Sequence, residues 1–195
     1  MSDEMDIILM ERIAKKDEAS FELFVTSYQN KIINLIYNYT HSRSDAEELA
    51  SDVFIKVWNS AGSFKARSKV STWIYRIAAN TAINHKRKKQ LPSSSIDGFI
   101  NISGNKIKKD IAAPDNKQPQ SIMEKNDRSA IIQTAVEELS PQQKMAFVLS
   151  KYECRSYLEI SQIMKLSVSS VESLLFRAKQ KLKQILLPLR EKGEI

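Results

Sequence analysis

The stretch SYLEISQIMKLSVSSVESLLFRAKQKL, residues 156–182, decides the fold of the C-terminal part of the chain. Its first four residues form a capping box, which predicts a short helix that ends near Met164. After Lys165-Leu166-Ser167, apolar residues recur at three- and four-residue steps, so a longer helix is predicted from Val168 to about Leu187. Two helices joined by a three-residue turn are typical of a helix-turn-helix. We therefore expect a helix-turn-helix at this end of the chain.

Two further helices are predicted immediately upstream of this motif. Apolar residues from Ile131 to Leu139 follow a helical period. Ser140 then provides an N-cap, Pro141 suits the first helical position, and Gln143 completes a second capping box. The C-terminal part is therefore predicted to be entirely helical.

The N-terminal part contains three predicted helical segments. The first carries an apolar stripe from Phe21 to Tyr39, as a core-facing helix does. The second is predicted to open at a capping box, Ser44-Asp45-Ala46-Glu47, and to run to Trp58. The third runs from about Ser71 to Lys89. With glycine and proline scarce, at 4 and 5 residues, the whole chain is predicted to be all-α.

The region between these two parts has a different composition. Three of the five prolines and two of the four glycines fall between Leu91 and about Gln120, together with a serine run. No helical period continues through it, which is typical of a flexible linker. We therefore predict two small helical domains, residues 1–91 and 121–195, joined by a linker over residues 92–120.

The charge of the chain is segregated along its length. The net charge is +7, but residues 1–52 carry five basic and eleven acidic residues, whereas residues 53–96 carry nine basic residues and no acidic one. This predicts an acidic face and a basic face, and the basic face suits a polyanion such as nucleic acid. The alternative is an ordinary solvated, lysine-rich surface. We also expect the acidic residues 1–52 to attract the basic last helix.

Several functional classes are disfavoured by what the sequence lacks. No uncharged apolar run has the length of a membrane span, and the acidic N-terminus does not resemble a signal peptide, so an intracellular, soluble protein is expected. With Cys154, His41 and His85 as the only Cys and His residues, neither an internal disulfide nor a structural zinc site is expected. The common phosphate-loop, zinc and serine-hydrolase motifs are missing, so we expect no enzyme, no cofactor and no small-molecule substrate.

The last helix carries candidate contacts to duplex DNA. At 100° per residue, Ser169, Ser170, Ser173 and Arg177 lie opposite the apolar stripe. Small hydroxyl side chains allow a close approach to the major groove, and arginine binds guanine edges or phosphates. Lys181 follows, and its ammonium suits a phosphate. The alternative is an amphipathic surface helix in a helical bundle.

A second set of candidate nucleic-acid contacts lies on the third predicted helix and in the loop before it. The set consists of Lys65, Arg67, Trp73, Arg76, Asn80, Asn84 and Arg87. Arginine and lysine can hold phosphates, and asparagine can bind base edges. Trp73 could stack on an unpaired base, although a tryptophan at the border of a stripe is more often core packing.

The second predicted helix carries acidic residues in a protein that is basic as a whole. Glu47, Glu48 and Asp52 could be ordinary solvated charges that match the helix dipole. They could equally form a protein-docking face, since an acidic surface would not approach DNA.

Two stretches carry a resemblance to a known family. DAEELASDVFIKVW (45–58) followed by STWIYRIAANTAINHKRKK (71–89) resembles conserved region two of the sigma-70 family, specifically its extracytoplasmic-function (ECF) members. LSPQQKMAFVLSKYECRSYLEISQIMKLSVSSVESLLFRAKQKL (139–182) resembles region four. The resemblance implies a bacterial transcription initiation factor that binds core RNA polymerase, recognises two promoter elements and helps to open the duplex.

The resemblance also implies roles for particular residues. The polymerase clamp would be contacted by Glu48, Leu49, Asp52, Phe54 and Trp58. The −10 element and its unpaired strand would be contacted by Lys65, Arg67, Trp73, Arg76, Asn80, Asn84 and Arg87. The −35 element would be contacted by Ser169, Ser170, Ser173, Arg177 and Lys181.

The implied partners are core polymerase (clamp and flap), promoter DNA and an anti-sigma factor. The implied location is the cytoplasm, with association to the nucleoid when the protein is bound to polymerase.

Some positions depart from the family pattern, and other classes stay open. The family often has aspartate at Asn84, glycine at Lys165 and threonine at Ser170, so the promoter sequence cannot be inferred. One alternative is a helix-turn-helix regulator that binds DNA without polymerase. Another is a helical adaptor whose basic face binds acidic proteins. The combination of an acidic docking helix, a separate basic helix and a long linker favours the sigma-factor interpretation.

Overall fold

The computed structural model describes residues 3–90 and 130–192, and the predicted linker, 92–120, lies outside these ranges. The helices are α1 (Asp3–Ala14), α2 (Glu18–Thr40), α3 (Arg43–Ser60), a 3-10 turn (Ala61–Ser63), α4 (Val70–Gln90), α5 (130–137), α6 (Pro141–Lys151), α7 (Tyr157–Met164) and α8 (Val168–Glu191). No strand occurs in the described residues, and the all-α prediction is confirmed. We use N-terminal domain for α1–α4 and C-terminal domain for α5–α8.

The N-terminal domain is built around α2, which packs against α1, α3 and α4. The apolar stripe of α2 forms its centre, with Phe24, Ile32 and Ile36 fully buried. Helix α1 was not predicted from the sequence. This helix buries Leu9, Met10 and Ile13 against the domain, and its buried Asp6 accepts a 2.5 Å hydrogen bond from the hydroxyl of Tyr28 on α2.

The helix caps agree with the sequence predictions at two of three positions. Ser140 and Ser156 each form a complete capping box with the residue three positions later. The box predicted at residues 44–47 is wrong, because the N-cap of α3 is Ser42, whose side chain accepts from the amide of Asp45. Glu47 instead accepts a 2.5 Å hydrogen bond from Arg43, one helical turn away, so its carboxylate serves a different partner.

The helix-turn-helix is formed by α7 and α8, which pack against each other and against α6. Lys165 ends α7 in the left-handed conformation, with φ 54° and ψ 45°. Left-handed backbone favours glycine, which explains why glycine is frequent at this position in the family that the sequence resembles. The last helix is longer than predicted, since it continues through Pro188 to Glu191.

The two domains pack directly against each other. Helix α4 contacts α6 and α7, and α2 contacts α6, so that one hydrophobic core includes Ile74 and Ala78 from the N-terminal domain and Ile160 and Ile163 from the C-terminal domain. The expected approach of acidic residues 1–52 to the basic last helix is wrong, because α8 packs on α6 and α7. Apolar burial, with a few buried charges, decides the arrangement instead of net charge.

Candidate nucleic-acid interface and protein-docking groove

The outward face of α8 places the predicted duplex contacts in solvent. Ser169, Ser173 and Arg177 are exposed, and Ser170 is half-buried. The Ser173 hydroxyl donates to the Ser169 carbonyl at 2.9 Å, and the Arg177 guanidinium donates to the Ser173 carbonyl at 3.2 Å. Ser167 caps the helix by accepting from the amide of Ser170 at 3.1 Å. This face therefore presents small hydroxyls and one cation at the exposed N-terminal half of a long helix.

Lys181 is placed differently from the other four predicted residues of α8. It is half-buried, and its ammonium donates to the backbone carbonyl of Glu138. A phosphate contact by Lys181 would therefore require this hydrogen bond to be exchanged. The residue anchors α8 to the end of α5 in the present arrangement.

The second predicted set follows the outer side of α4 and the loop before it. Lys65, Arg67, Asn80, Asn84 and Arg87 are all exposed. Trp73 is half-buried, and its ring lies 5.5 Å from the ring of Phe64 between centroids. One side of Trp73 packs on the core and the rest is accessible, so its stacking on an unpaired base stays a prediction.

Arg76 does not lie free on this surface. Its Nη2 and Nε donate to the Gln162 carbonyl on α7 at 2.8 and 3.2 Å. The neighbouring Tyr75 is buried and donates its hydroxyl to Glu153 at 2.8 Å, while the Arg155 guanidinium lies 4.5 Å from its ring centroid. Burial, with the adjacent Glu153 carboxylate, raises the pKa of Tyr75 to about 12. Arg76 is therefore held at the contact between the two domains.

The predicted polymerase-binding residues on α3 divide into two groups. Glu48 and Asp52 are exposed, as a docking surface requires. Leu49 and Phe54 belong to the core, with exposed fractions of 4% and 8%. Trp58 is half-buried and stacks obliquely on Phe21 of α2, with the ring centroids 4.9 Å apart.

A groove of about 970 Å³ runs between α2 and α3, and sequence reasoning missed it. Its apolar lining includes Phe21, Val25, Phe54, Ile55 and Trp58, and its acidic lining includes Glu18, Glu22 and Glu47. Ile55 is 57% exposed and adds an accessible aliphatic side chain to this lining. The groove could have been predicted from the width of the apolar stripe on α2. Phe21 and Val25 make this stripe wider than the face that one helix buries against the core.

Other classes of site have no support in the described residues. Within residues 3–90 and 130–192, no three His, Cys, Asp or Glu side chains come together as a metal site would require. No helix of this part of the chain combines the length and apolar character that a membrane crossing needs.

The sequence matches two family models and curated proteins over nearly its full length. The family model for Sigma-70 region 2 matches residues 24–91, and the model for Sigma-70, region 4 matches residues 129–182. The RNA polymerase sigma-H factor of Pseudomonas aeruginosa is 32% identical over 191 residues, which cover 97% of each chain. The ECF RNA polymerase sigma-E factor of Escherichia coli K12 is 32% identical over 192 residues, 97% of this chain and 98% of the relative.

The fold is also similar to two solved structures. CnrH in complex with the cytosolic domain of CnrY matches with a TM-score of 0.63 at 19% identity, over 93% of this chain and 97% of that chain. RpoE of Bartonella quintana, solved with the anti-sigma factor NepR, matches with a TM-score of 0.57 at 19% identity, over 85% and 96% of the two chains. Since both family models match in the expected order and the relatives align over nearly the full length, this chain belongs to the ECF sigma factors of the sigma-70 family, and it is a transcription initiation factor and not an enzyme.

Proposed function

We propose that this sigma factor binds core RNA polymerase through the outer side of α3 and the α2–α3 groove. It then directs polymerase to promoters by contacting the −10 element with α4 and the −35 element with α8. The observation that carries this proposal is the separation of three surfaces on one small protein. An acidic groove with an apolar lining lies on α2 and α3, and two basic or hydroxyl-bearing faces lie on α4 and α8.

The groove defines the chemistry of its partner. An apolar lining with Phe54 and Trp58 suits the apolar face of a helix, and the carboxylates of Glu18 and Glu22 suit basic residues beside that face. Glu47 is already paired with Arg43, which also lines the groove. Glu48 and Asp52 extend the acidic surface along α3. The proposed occupant is a helical segment of the polymerase clamp with an apolar face and basic flanks.

The face of α8 supports contact with the major groove of duplex DNA. Ser169 and Ser173 are small enough for the helix backbone to approach the bases, and Arg177 lies one turn beyond them. The exposed N-terminal turn of α8 also favours a phosphate near Ser167 and Ser170, because unpaired amides and the helix dipole attract anions. We assign the −35 element to this face, with the C-terminal domain seated on the polymerase flap.

The α4 surface supports contact with the −10 element and its unpaired strand. Lys65, Arg67 and Arg87 provide exposed cations for phosphates, and Asn80 and Asn84 provide amides for base edges. Trp73 offers a partly exposed ring on which an unstacked base can lie. Capture of unpaired bases would assist duplex opening, because it stabilises the melted strand.

The remaining partners and the location are proposed by analogy with relatives. RpoE of Bartonella quintana was solved with an anti-sigma factor, and CnrH with the cytosolic domain of CnrY. We assign to this protein an anti-sigma factor of its own, a cytoplasmic location, and association with the nucleoid when it is bound to polymerase. Residues 1–91 and 121–195 remain the proposed domain bounds, with 92–120 as the linker that spans polymerase between the two DNA contacts.

Co-purification with core polymerase tests the docking surface. Asp52→Lys reverses an exposed charge on the proposed surface and should weaken polymerase binding, whereas Glu11→Lys makes the same change on α1, away from the groove, and should not. Circular dichroism establishes that both variants are folded. Equal polymerase binding by wild type and a folded Asp52→Lys variant would remove this surface from the account.

A further inference from the structure

The outward face of α8 has an acidic edge that the proposed DNA contacts do not use. Glu172 is exposed in the second turn of the helix, beyond the first-turn positions where the helix dipole stabilises a carboxylate. At about 100° per residue, it lies about 40° around the helix from Phe176 and about 60° from Ser169. Its carboxylate therefore borders the same face as Ser169 and Ser173.

No neighbour on α8 neutralises this carboxylate. Three and four residues away stand only uncharged side chains, those of Val168, Ser169, Leu175 and Phe176. Arg177 lies about 140° away around the helix and donates to the Ser173 carbonyl at 3.2 Å instead. The carboxylates of Glu47 and Glu159, by contrast, each pair with an arginine one helical turn away. Glu172 therefore serves no ion pair that stabilises its helix, and its oxygens are available to accept hydrogen bonds from a ligand.

Phe176 places an apolar ring beside the Glu172 carboxylate. It is 62% exposed, and with Glu172, Ser173 and Arg177 it lines a shallow hollow of about 470 Å³. A ring in this position excludes water from the space next to Glu172 once the face is pressed into a groove of DNA. A carboxylate that loses water must then receive hydrogen bonds from the DNA, because its burial is otherwise costly. The hollow therefore makes the docking of α8 sensitive to the base edge that faces Glu172.

The base edges of the major groove differ in how well they suit a carboxylate. Guanine offers the acceptors N7 and O6, thymine the acceptor O4, and adenine a donor that lies beside the acceptor N7. Cytosine offers the N4 amino donor and no acceptor. The first three edges bring lone pairs close to the Glu172 oxygens, whereas cytosine donates a hydrogen bond to them.

We propose that Glu172 is a specificity-determining residue of the −35 contact and that it selects a cytosine. It accepts a hydrogen bond from the cytosine N4 amino group, and it repels the acceptor atoms of the other three bases at that position. This inference rests on the proposed contact between α8 and the −35 element. From the discrimination typical of one side chain–base contact, we expect about a tenfold preference for cytosine at this base pair.

Glu172→Gln distinguishes a base contact from simple charge repulsion. Glutamine keeps the size of the side chain, but its amide both donates and accepts, and it pairs in a bidentate manner with N6 and N7 of adenine. The preferred base at this one position should therefore change from cytosine to adenine. Glu172→Asp keeps the charge and withdraws the carboxylate by one methylene, so it should keep the repulsion but reduce the cytosine preference.

Glu191→Gln is the matched control for the change in charge. It removes the same charge from an exposed position on the same helix, about 28 Å further along at 1.5 Å per residue. This variant should keep the cytosine preference of the wild type. Circular dichroism establishes that all variants are folded.

The experiment selects DNA with the complete initiation complex. Core polymerase with the full-length protein, wild type or variant, is incubated with a duplex library that is randomised over a length that holds both promoter elements. The bound DNA is sequenced over successive rounds at one stated salt concentration. The α8 contact is identified as the element whose enrichment is lost in Arg177→Ala. Competition between duplexes that differ only at the Glu172-dependent base pair then gives the ratio of affinities.

The outcomes are distinct. A cytosine preference of about tenfold at one base pair, which falls in Glu172→Asp, changes to adenine in Glu172→Gln and persists in Glu191→Gln, supports the proposal. The same base preferences in wild type and folded Glu172→Gln overturn it. A uniform gain in affinity for all sequences also overturns it, because Glu172 would then only repel DNA. Failure of the proposed function would appear separately, as a wild-type complex that selects no upstream element.

Discussion

Lys165→Gly tests the geometry of the turn that joins the two helices of the helix-turn-helix. Lys165 ends α7 with φ 54° and ψ 45°, and the next amide, of Leu166, donates to the Ser161 carbonyl at 3.1 Å. The turn requires this left-handed conformation whatever residue occupies it. Because the Lys165 side chain is exposed, glycine should relieve the strain without disturbing the core.

The expected gain follows from two opposing effects. An L-residue in the left-handed region is disfavoured by roughly 1–2 kcal/mol. Glycine also lowers the stability by about 0.4–1 kcal/mol, because it gives the unfolded chain more conformational freedom. We therefore expect the free energy of unfolding to rise by roughly 0.5–1 kcal/mol. For a chain of this size, each kcal/mol raises Tm by about 2–4 °C.

Urea denaturation followed by far-UV circular dichroism measures this change. Lys165→Ala is the matched control, because it removes the charge and the long side chain but keeps the strained conformation. Its midpoint should therefore stay at or below that of the wild type. A Lys165→Gly variant that is no more stable than Lys165→Ala would refute the assignment of backbone strain to this turn.

Four further predictions concern the DNA-binding faces and the helix caps. If Arg177 contacts a base, Arg177→Ala should lose about 1–3 kcal/mol of affinity for the −35 element in the polymerase complex. The exposed Lys179 suits a phosphate contact, so Lys179→Ala should weaken binding to all sequences alike. Competition with mutated promoters distinguishes the two effects. Asn80→Ala should reduce duplex opening without changing binding to the −35 element. Permanganate footprinting of a polymerase–promoter complex measures the opening, and thymine reactivity equal to that of the wild type would contradict this prediction. Ser156→Ala should cost about 1 kcal/mol of unfolding free energy through the lost cap. Hydrogen bonds from the Ser156 amide and hydroxyl lower the pKa of Glu159 from its ordinary 4.5. The stabilisation by ionised Glu159 is therefore present above pH 4.5 and is lost as the pH falls below it. In acid unfolding curves, the wild type should lose its stability advantage over Glu159→Ala.

Local features of the fold could be predicted because their causes lie within a few residues. The capping boxes at Ser140 and Ser156 depend on one turn of helix each, and both are confirmed. The start of α3 was misplaced because Ser42 and Ser44 both suit an N-cap, and sequence alone does not decide between them. Helix α1 was missed because its acidic first turn hid a short apolar pattern whose burial depends on contact with α2.

The arrangement of the domains could not be predicted, because its contacts join distant residues. The Tyr39 hydroxyl donates to the Pro141 carbonyl, 102 positions away, and the buried Lys144 looks in the sequence like any surface lysine on an amphipathic helix. Net charge suggested a different arrangement, with α8 against the acidic residues. The candidate DNA contacts were predicted as sets of exposed residues. Among those that the structure describes, only Arg76 and Lys181 form hydrogen bonds to residues distant in the sequence.

Transcription of fragmented genomic DNA by core polymerase, with and without the protein, tests the central claim most directly. Sequencing of the transcript 5′ ends identifies every start site that depends on the added protein. The account predicts a discrete set of start sites that share two upstream sequence elements at a constant spacing. A set of start sites that is the same with and without the protein would contradict it.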